Sequence, residues 1–268
     1  MKSRRDEAPI RVLHVDDEPG FAEMVSTFVE REDERFKMET ATSASEGLDL
    51  LDRDDFDCVV SDYDMPGQSG IDFLRTVRSM DAEIPFILFT GKGSEEIASD
   101  AISAGVTDYL RKESGTDQYA LLATQIRNAT EQARTERELR RSDRRFRAVF
   151  EDPQTVIAIM DPDGILLDIN QTALDRVQGE KEDVLGEPFW TEPWWDSARE
   201  ETVREWIDRA ATGEYVEFEA PHVTPDGNEW WVSATIRPVK NDVGEVVSLI
   251  ASGKDITQRK QLNEESQE

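Results

Sequence analysis

Carboxylates follow two apolar stretches near the start of the chain. Asp16 and Asp17 come directly after IRVLHV, Asp62 follows CVVS, and Asp64 stands two residues further on. Each carboxylate alone is explained by a turn or a helix cap. Three clustered carboxylates repel one another unless a cation neutralises them, and oxygen ligands of high charge suit Mg²⁺. In such a cluster Asp62 would be a nucleophile that accepts a phosphoryl group as an acyl phosphate.

Alternating strands and helices must position these carboxylates. Residues 10–120 contain five β–α units, which predict a parallel, doubly wound sheet covered by helices. The predicted strands contain IRVLHV, FKMETA, DCVVSD, PFILFT and TDYL. In such sheets functional residues lie at the C-terminal ends of the strands. Thr90 ends the fourth strand and Lys112 follows the fifth, so both are expected beside the carboxylates.

Four motifs of this segment resemble the response-regulator receiver domains of two-component signalling. VLHVDDEP, VVSDYDMPG, LFTGKG and DYLRK occur in the family's order and spacing. The resemblance implies a flavodoxin-like fold with strand order 2-1-3-4-5 over residues 8–120. It also implies that a sensor histidine kinase phosphorylates Asp62, and that Thr90 and Tyr109 form the switch pair. The implied Mg²⁺ ligands are Asp17 directly, Asp16 through water, Asp62, and the backbone carbonyl of Asp64.

One position departs from the family pattern. The family usually has proline after the lysine, in a cis peptide, whereas Glu113 follows Lys112 here. A non-proline cis bond costs ~2.5–4 kcal/mol, so we expect a trans loop with Lys112 placed differently, while Mg²⁺ binding survives. Asp64 adds a carboxylate beside the acceptor, and we expect it to alter hydrolysis of the acyl phosphate.

A basic helical connector is predicted over residues 121–147. Acids outnumber bases by 28 to 13 in residues 1–120 and by 27 to 10 in residues 151–268, whereas residues 121–150 carry 4 acids and 8 bases. The connector is either a solvated linker or a rigid rod, paired in a homodimer, that transmits a twist or shift. Its apolar stripe is thin and consists of Leu122, Ile126, Ala129 and Ala133.

Residues 148–258 predict an antiparallel α+β domain. A hairpin turns at Asp161-Pro162-Asp163-Gly164, and three strands close the domain: EYVEFEAPHV, EWWVSATIRPV and VVSLIASGKDI. DPDGILLDIN, VLGEPFWTEPWW and SGKDITQRK resemble PAS domains. The resemblance implies a five-stranded antiparallel sheet that senses ligands, holds haem or flavin, or mediates dimers. Residues 259–268 are predicted as a polar tail.

The second domain lacks the usual cofactor ligands. Haem commonly needs an axial histidine, but His222 lies in a predicted strand rather than on a helix. A flavin adduct needs a cysteine, and the one cysteine of the chain is Cys58. An unassigned small molecule or no ligand remains, and no cofactor is the expectation. The tryptophans that either line a pocket or form core are Trp190, Trp194, Trp195, Trp206, Trp230 and Trp231.

The composition excludes several classes of protein. The chain of 268 residues has 59 acids and 31 bases, a formal charge of −28, which argues against nucleic-acid binding. Only eight of the bases are lysine, and this acidity resembles that of proteins from salt-loving archaea, so the whole resembles haloarchaeal receiver–PAS signalling proteins. No apolar run approaches the ~20 residues of a membrane span, and the start of the chain resembles no signal peptide. A cytoplasmic location is expected.

The leading hypothesis is a response regulator that is not itself an enzyme. One alternative is a PAS adaptor with a degenerate receiver that works without phosphorylation. A phosphatase with an aspartyl nucleophile is disfavoured, because such enzymes place the Asp62-Tyr63-Asp64 pattern on their first strand. A histidine kinase needs a histidine on a long helix, and both His14 and His222 lie in or beside strands.

Overall fold

The computed structural model describes residues 8–91, 95–177, 179–191, 195–223 and 229–265. The chain divides into two compact units, Met1–Arg141 and Ser142–Glu268. Among the described residues, no helix is both long and apolar enough to cross a membrane.

The first unit is built on a parallel sheet of five strands in the order β2-β1-β3-β4-β5. Every residue of β3 and β4 is buried, as expected for central strands that helices cover on both faces. This confirms the predicted fold of the N-terminal part. The strands are β1 Ile10–Val15, β2 Phe36–Ala41, β3 Cys58–Ser61, β4 Phe86–Thr90 and β5 Asp108–Arg111.

Helices of this unit begin at recognisable caps. Ser43 and Ser69 accept hydrogen bonds from backbone N–H groups three residues later, and Pro19 stands at the first position of its helix. Their apolar faces pack on the two sides of the sheet and form two core clusters. The helices are α1 Pro19–Glu32, α2 Ala44–Arg53, α3 Gly70–Met80, α4 Glu95–Ser103 and α5 Asp117–Phe150.

Helix α5 is one continuous helix of 34 residues. Its first turns bury Tyr119, Leu122 and Ile126 in the core of the first unit. Further along, α5 arginines pair with acids at the opposite end of the sheet from the strand-end carboxylates. The pairs are Arg134–Asp57 at 2.9 Å, Arg137–Asp81 at 3.6 Å and Arg140–Glu83. The predicted connector therefore lies within α5, and part of its apolar stripe is core of the first unit.

The second unit contains an antiparallel sheet in the order β7-β6-β10-β9-β8, as predicted. Gly164, at φ +82°, closes the predicted hairpin turn, where a side chain would meet Trp190 and Ile207. The strands are β6 Thr155–Met160, β7 Leu166–Ile169, β8 Val216–Val223, β9 Glu229–Lys240 and β10 Val246–Asp255. The helices are α6 Gln171–Val177, α7 Lys181–Val184, α8 Glu200–Ala211 and α9 Thr257–Glu265.

Two features of the second unit go beyond the sequence analysis. Part of the expected polar tail forms α9, where Lys260 lies 4.5 Å from the centre of the Trp231 ring and pairs with Glu219 at 2.8 Å. Buried Asn170 donates to the carbonyls of Phe150 and Thr155 at 2.8 and 2.7 Å. Asn170 thereby fixes the C-terminal end of α5 to the sheet of this unit.

Candidate functional site

Three of the predicted carboxylates meet at the C-terminal edge of the parallel sheet. One ligand oxygen from each of Asp16, Asp17 and Asp62 lies within 4.8 Å of the others. Asp16 is fully buried and Asp62 is 7% exposed, whereas Asp17 is half-buried. The meeting follows from topology, because β1 and β3 are neighbouring parallel strands and their ends share one edge.

Backbone hydrogen bonds fix the two buried carboxylates. The N–H of Asp62 donates to the carbonyl of Val15 at 2.8 Å, and that of Asp16 donates to Ala41 at 3.0 Å. These bonds continue the β1–β3 and β1–β2 ladders by one residue. Asp16 Oδ1 also accepts from the N–H of Glu18 at 3.0 Å, at the start of α1. Both side chains therefore leave rigid strand ends rather than loops.

Lys112, which directly follows β5, reaches the carboxylates. Its Nζ lies 2.7 Å from Asp16 Oδ2 and 3.1 Å from Asp62 Oδ1. The contact with Asp62 is an ion pair without hydrogen-bond alignment, so Asp62 Oδ1 has no hydrogen-bond partner among the described residues. The rings of Phe21 and Phe89 lie beneath the amine, with centroids at 4.4 and 5.9 Å. Cation–π attraction and the aromatic walls hold the amine beside the acceptor.

The loop after Lys112 is trans, as the missing proline indicated. The amine of Lys112 nevertheless reaches Asp16 and Asp62, although we expected it to be placed differently. No cis peptide bond occurs among the described residues. Gln118, in the first turn of α5, accepts from the N–H of Glu113 at 3.0 Å and donates to the carbonyl of Gly115 at 2.8 Å. The sequence analysis did not single out Gln118, because a glutamine at the start of a helix carries no distinctive signal.

The remaining predicted site residues lie on the neighbouring elements. Thr90 is buried at the end of β4, and its carbonyl accepts from the N–H of Lys112 at 2.8 Å. Tyr109 is half-buried on β5 and packs against the core, and burial raises the pKa of its hydroxyl. Asp64 is exposed in the segment between β3 and α3. Their roles as switch pair and backbone ligand stay predictions.

Two further residues at this edge were missed in the sequence. His14 is fully buried behind the carboxylates, with Nε2 3.9 Å from Asp16 Oδ2, and burial lowers its pKa to about 4. Gly70 opens α3 against the acceptor, where an added Cβ would lie 2.1 Å from the Asp62 carbonyl oxygen. Neither signal is visible in sequence, because both depend on which strands become neighbours.

The charge of the edge fits a divalent cation. Three carboxylates carry a formal charge of −3, and Lys112 reduces it to −2. Asp62 Oδ1, which accepts no hydrogen bond from the described residues, and the all-oxygen donor set match the preferences of Mg²⁺. The acidic triad is thus typical of a magnesium site.

Aromatic residues of the second unit divide between core and cavity. Trp206 stacks on Phe218 with ring centroids 4.1 Å apart, and both rings are partly buried against the core. Trp195, Trp230 and His222 line an apolar cavity inside the unit. Trp194 lies outside the described residues.

Comparisons with protein families agree with both units. The family described as "Response regulator receiver domain" matches residues 12–124, and that described as "PAS fold" matches residues 150–261. The chain is similar to the "Probable transcriptional regulatory protein TcrX" of Mycobacterium tuberculosis, with 38% identity over 41% of this chain and 46% of that protein. It is also similar to the "Hybrid signal transduction histidine kinase D" of Dictyostelium discoideum, with 28% identity over 44% of this chain and 8% of that protein. The chain thus spans less than half the length of these curated relatives.

Solved structures to which the chain is similar include a receiver domain protein and a PAS domain. A response regulator receiver domain protein from Clostridium thermocellum has 28% identity and a TM-score of 0.43, covering 47% of this chain and 98% of its own. The PAS domain of an HTR-like protein from Haloarcula marismortui has 23% identity and a TM-score of 0.39, covering 46% and 98%.

Proposed function

Because the chain carries a response-regulator receiver domain followed by a PAS domain, we propose that it is a response regulator phosphorylated on Asp62 by a sensor histidine kinase. The two domains place the chain in two-component signalling. The observation that carries the proposal is the grouping of Asp16, Asp17 and Asp62 within 4.8 Å, with Lys112 against the acceptor.

In the proposed phosphoryl transfer, the phosphohistidine of the kinase must reach the Asp62 carboxylate, which is the nucleophile. An oxygen of the Asp62 carboxylate attacks the phosphorus of a phosphohistidine. The phosphorus–nitrogen bond breaks, its electron pair stays on the imidazole nitrogen, and that nitrogen takes up a proton. The product is an acyl phosphate on Asp62, which water later hydrolyses. Catalysis of this kind depends on position and on neutralised charge.

Side chains at this edge support the proposed transfer. Lys112 offers a positive charge to the phosphoryl oxygens, and the Thr90 hydroxyl can donate a hydrogen bond to one of them. Asp16, Asp17, Asp62 and the carbonyl of Asp64 would hold Mg²⁺. When bound there, the cation offsets the charge of the carboxylates and of the incoming phosphoryl group.

The test is phosphorylation of the full chain by acetyl phosphate with Mg²⁺ in molar KCl, followed by intact mass. We expect one hydroxylamine-labile phosphoryl group on the wild type and none on Asp62→Asn. Asp55→Asn is the matched control, because Asp55 is exposed and lies before β3 rather than after it. That variant should be phosphorylated like the wild type.

Two outcomes would redirect the proposal. A folded, Mg²⁺-binding protein that takes up no phosphoryl group is a degenerate receiver, and the PAS adaptor becomes the better interpretation. Sustained turnover of a phosphate ester through Asp62 would instead favour the phosphatase with an aspartyl nucleophile.

Helix α5 is the proposed route from receiver to PAS domain. Its start is buried in the receiver core, and its last residue Phe150 is buried in the second unit and held by Asn170. Leu139, Phe146 and Val149 are exposed at intervals of seven and three residues. Such spacing is typical of a coiled-coil seam, which supports a homodimer paired through the second half of α5.

A further inference from the structure

Lys112 reaches the carboxylates although the proline that the family usually has after it is missing. Its Nζ lies 2.7 Å from Asp16 Oδ2 and 3.1 Å from Asp62 Oδ1. A lysine side chain is long and flexible and loses much rotamer freedom when it is held in one place, so its backbone must be fixed first. On the N-terminal side, the N–H of Lys112 donates to the carbonyl of Thr90 at 2.8 Å and extends the β4–β5 ladder. The C-terminal side of Lys112 needs an anchor of its own.

The side chain of Gln118 is that anchor. Its Oε1 accepts from the N–H of Glu113 at 3.0 Å, and its Nε2 donates to the carbonyl of Glu113 and, at 2.8 Å, to that of Gly115. Because the N–H of Glu113 and the carbonyl of Lys112 lie in one planar peptide group, the first of these bonds also orients the backbone of Lys112. Both sides of Lys112 are therefore held, one by β4 and the other by Gln118.

These hydrogen bonds are not those of a helix cap. Helix α5 begins at Asp117, and a cap at that end would accept from the free N–H groups of its first turn. Gln118 instead bonds to Glu113 and Gly115, which both precede the helix, and it donates to their carbonyls. The side chain thus fixes the loop rather than the start of α5.

Gln118 extends from a well-packed part of α5. The next residue, Tyr119, is buried and stacks on Phe28 with ring centroids 4.8 Å apart. Leu122, one turn further along, is fully buried in the same core cluster. Fixed contacts therefore run from the core of the first unit through Gln118 to the loop that carries the amine.

We propose that Gln118 is a positioning residue for Lys112 and takes the place of the missing proline in the phosphorylation of Asp62. Gln118 acts through Lys112 rather than on the acceptor. It fixes the peptide group after Lys112, so that the amine stays directed at the phosphoryl oxygens while the phosphoryl group passes from histidine to Asp62. This inference rests on the proposed phosphorylation of Asp62 and adds a residue that controls its rate.

The test compares the rates at which acetyl phosphate phosphorylates the full chain with Mg²⁺ in molar KCl, followed by intact mass. We expect Gln118→Ala to be about ten- to hundredfold slower than the wild type, because a shift of about 1 Å in a catalytic group can cost that much. Gln118→Glu keeps the size of the side chain and its acceptor but cannot donate to the two carbonyls, so it should be slowed as well. Gln132→Ala is the matched control and should keep the wild-type rate, because Gln132 is an exposed glutamine of α5 that donates to Glu136 of the same helix.

A second background separates positioning of Lys112 from general loosening of the site. If Gln118 acts only through Lys112, Gln118→Ala should not slow the Lys112→Ala variant any further. The affinity for Mg²⁺, measured from ¹H–¹⁵N signals of the full chain, should not be weaker in Gln118→Ala than in the wild type, because Gln118 holds none of the carboxylates. A purely structural role would instead slow both backgrounds and weaken Mg²⁺ binding.

The outcomes distinguish this inference from the proposed function. A wild type that takes up no phosphoryl group would overturn both. A phosphorylated wild type with an equally fast Gln118→Ala would overturn the inference alone, and so would equal slowing by Gln118→Ala in the wild-type and Lys112→Ala backgrounds. Should Gln118→Ala not fold, Gln118→Glu carries the same comparisons, and a wild-type rate in that variant overturns the inference.

Discussion

At the scale of single residues, the acceptor depends on a glycine that carries no chemistry. Gly70 begins α3 where the chain returns against the backbone of Asp62. Its N–H donates to the carbonyl of Tyr63 at 2.8 Å, which closes the segment between β3 and α3. Glycine is needed here for close approach of two backbone segments, not for an unusual φ.

We predict that Gly70→Ala destabilises the first unit by about 1–3 kcal/mol, the usual cost of overpacking, and slows phosphorylation of Asp62. The cause is the added Cβ, which must displace the Asp62 carbonyl. Urea unfolding and the acetyl phosphate assay measure the two effects. Gly20→Ala is the control, because its Cβ meets nothing within 4 Å, so stability should be unchanged or slightly higher. Equal behaviour of the two variants would contradict the role of Gly70.

Burial of His222 makes the second unit sensitive to acid. Its pKa falls from 6.5 to about 3, first because of burial and then because of the positive charge of Arg199. Below pH 6.5 the unfolded chain binds a proton that the folded unit excludes, so stability falls with pH. The loss approaches about 1.4 kcal/mol per pH unit until the folded group also titrates.

We therefore predict that His222→Phe flattens the pH dependence of unfolding of the second unit between pH 6.5 and 5. The measurement is urea unfolding followed by tryptophan fluorescence at several pH values. The lower limit is chosen at about one unit above the ordinary carboxylate pKa values. Parallel slopes for variant and wild type would show that His222 is protonated in the folded unit.

At the scale of elements, α5 is the only described covalent connection between the two compact units. Arg127 reaches Asp33 at 3.2 Å, and Arg134 contacts both Asp57 and the carbonyl of Pro9 at 2.8 Å. These contacts fix α5 to the receiver well beyond its buried turns. The last pair between α5 and the rest of the first unit is Arg140–Glu83, and Ser142 and Asp143 follow it directly, so this is where stiffness of the helix matters most.

We predict that Ser142→Gly with Asp143→Gly uncouples the units, whereas the matched pair Ser142→Ala with Asp143→Ala does not. Both pairs remove the Asp143–Arg147 contact, but each glycine costs about 1 kcal/mol of helix stability relative to alanine. Indole N–H signals of the second unit, compared before and after phosphorylation of Asp62, measure coupling. Equal spectral changes in the two variants would rule out a rigid helical relay.

At the scale of the whole molecule, the dominant feature is a formal charge of −28. Acidic residues outnumber basic residues in both units. Repulsion between like charges destabilises compact states of high net charge. Raising salt from 0.1 to 1 M shortens the Debye length from about 10 Å to about 3 Å. The exposed ion pairs of α5 lose strength as well, but each is worth only about 0–1 kcal/mol.

We predict that Tm rises as KCl increases from about 0.1 M to molar concentrations, because screening of repulsion outweighs the weakened pairs. Differential scanning calorimetry measures the change. A variant with fewer exposed acids, Asp52→Asn, Asp55→Asn and Glu217→Gln, should gain less Tm from the same salt. A Tm that falls with KCl would show that attractive pairs dominate.

The sequence by itself determined the periodic features of this protein. Strand and helix patterns predicted both sheets, and the strand-end positions of Asp16, Asp17 and Asp62 predicted that they meet. These predictions succeed because alternation of apolar residues and parallel topology are local and repetitive. The charged stretch that follows the parallel domain likewise predicted a long helix, which is α5, whereas the same reasoning did not predict that Thr257–Glu265 forms a helix.

Only the tertiary structure decided which groups lack partners and which approach too closely for a side chain. Gln118 holds the loop after Lys112, Gly70 contacts the acceptor backbone, and Trp195 and His222 face one cavity. Each depends on distances between residues far apart in sequence. Burial and unsatisfied hydrogen bonds are properties of packed neighbours, and a sequence does not specify these until the chain has folded.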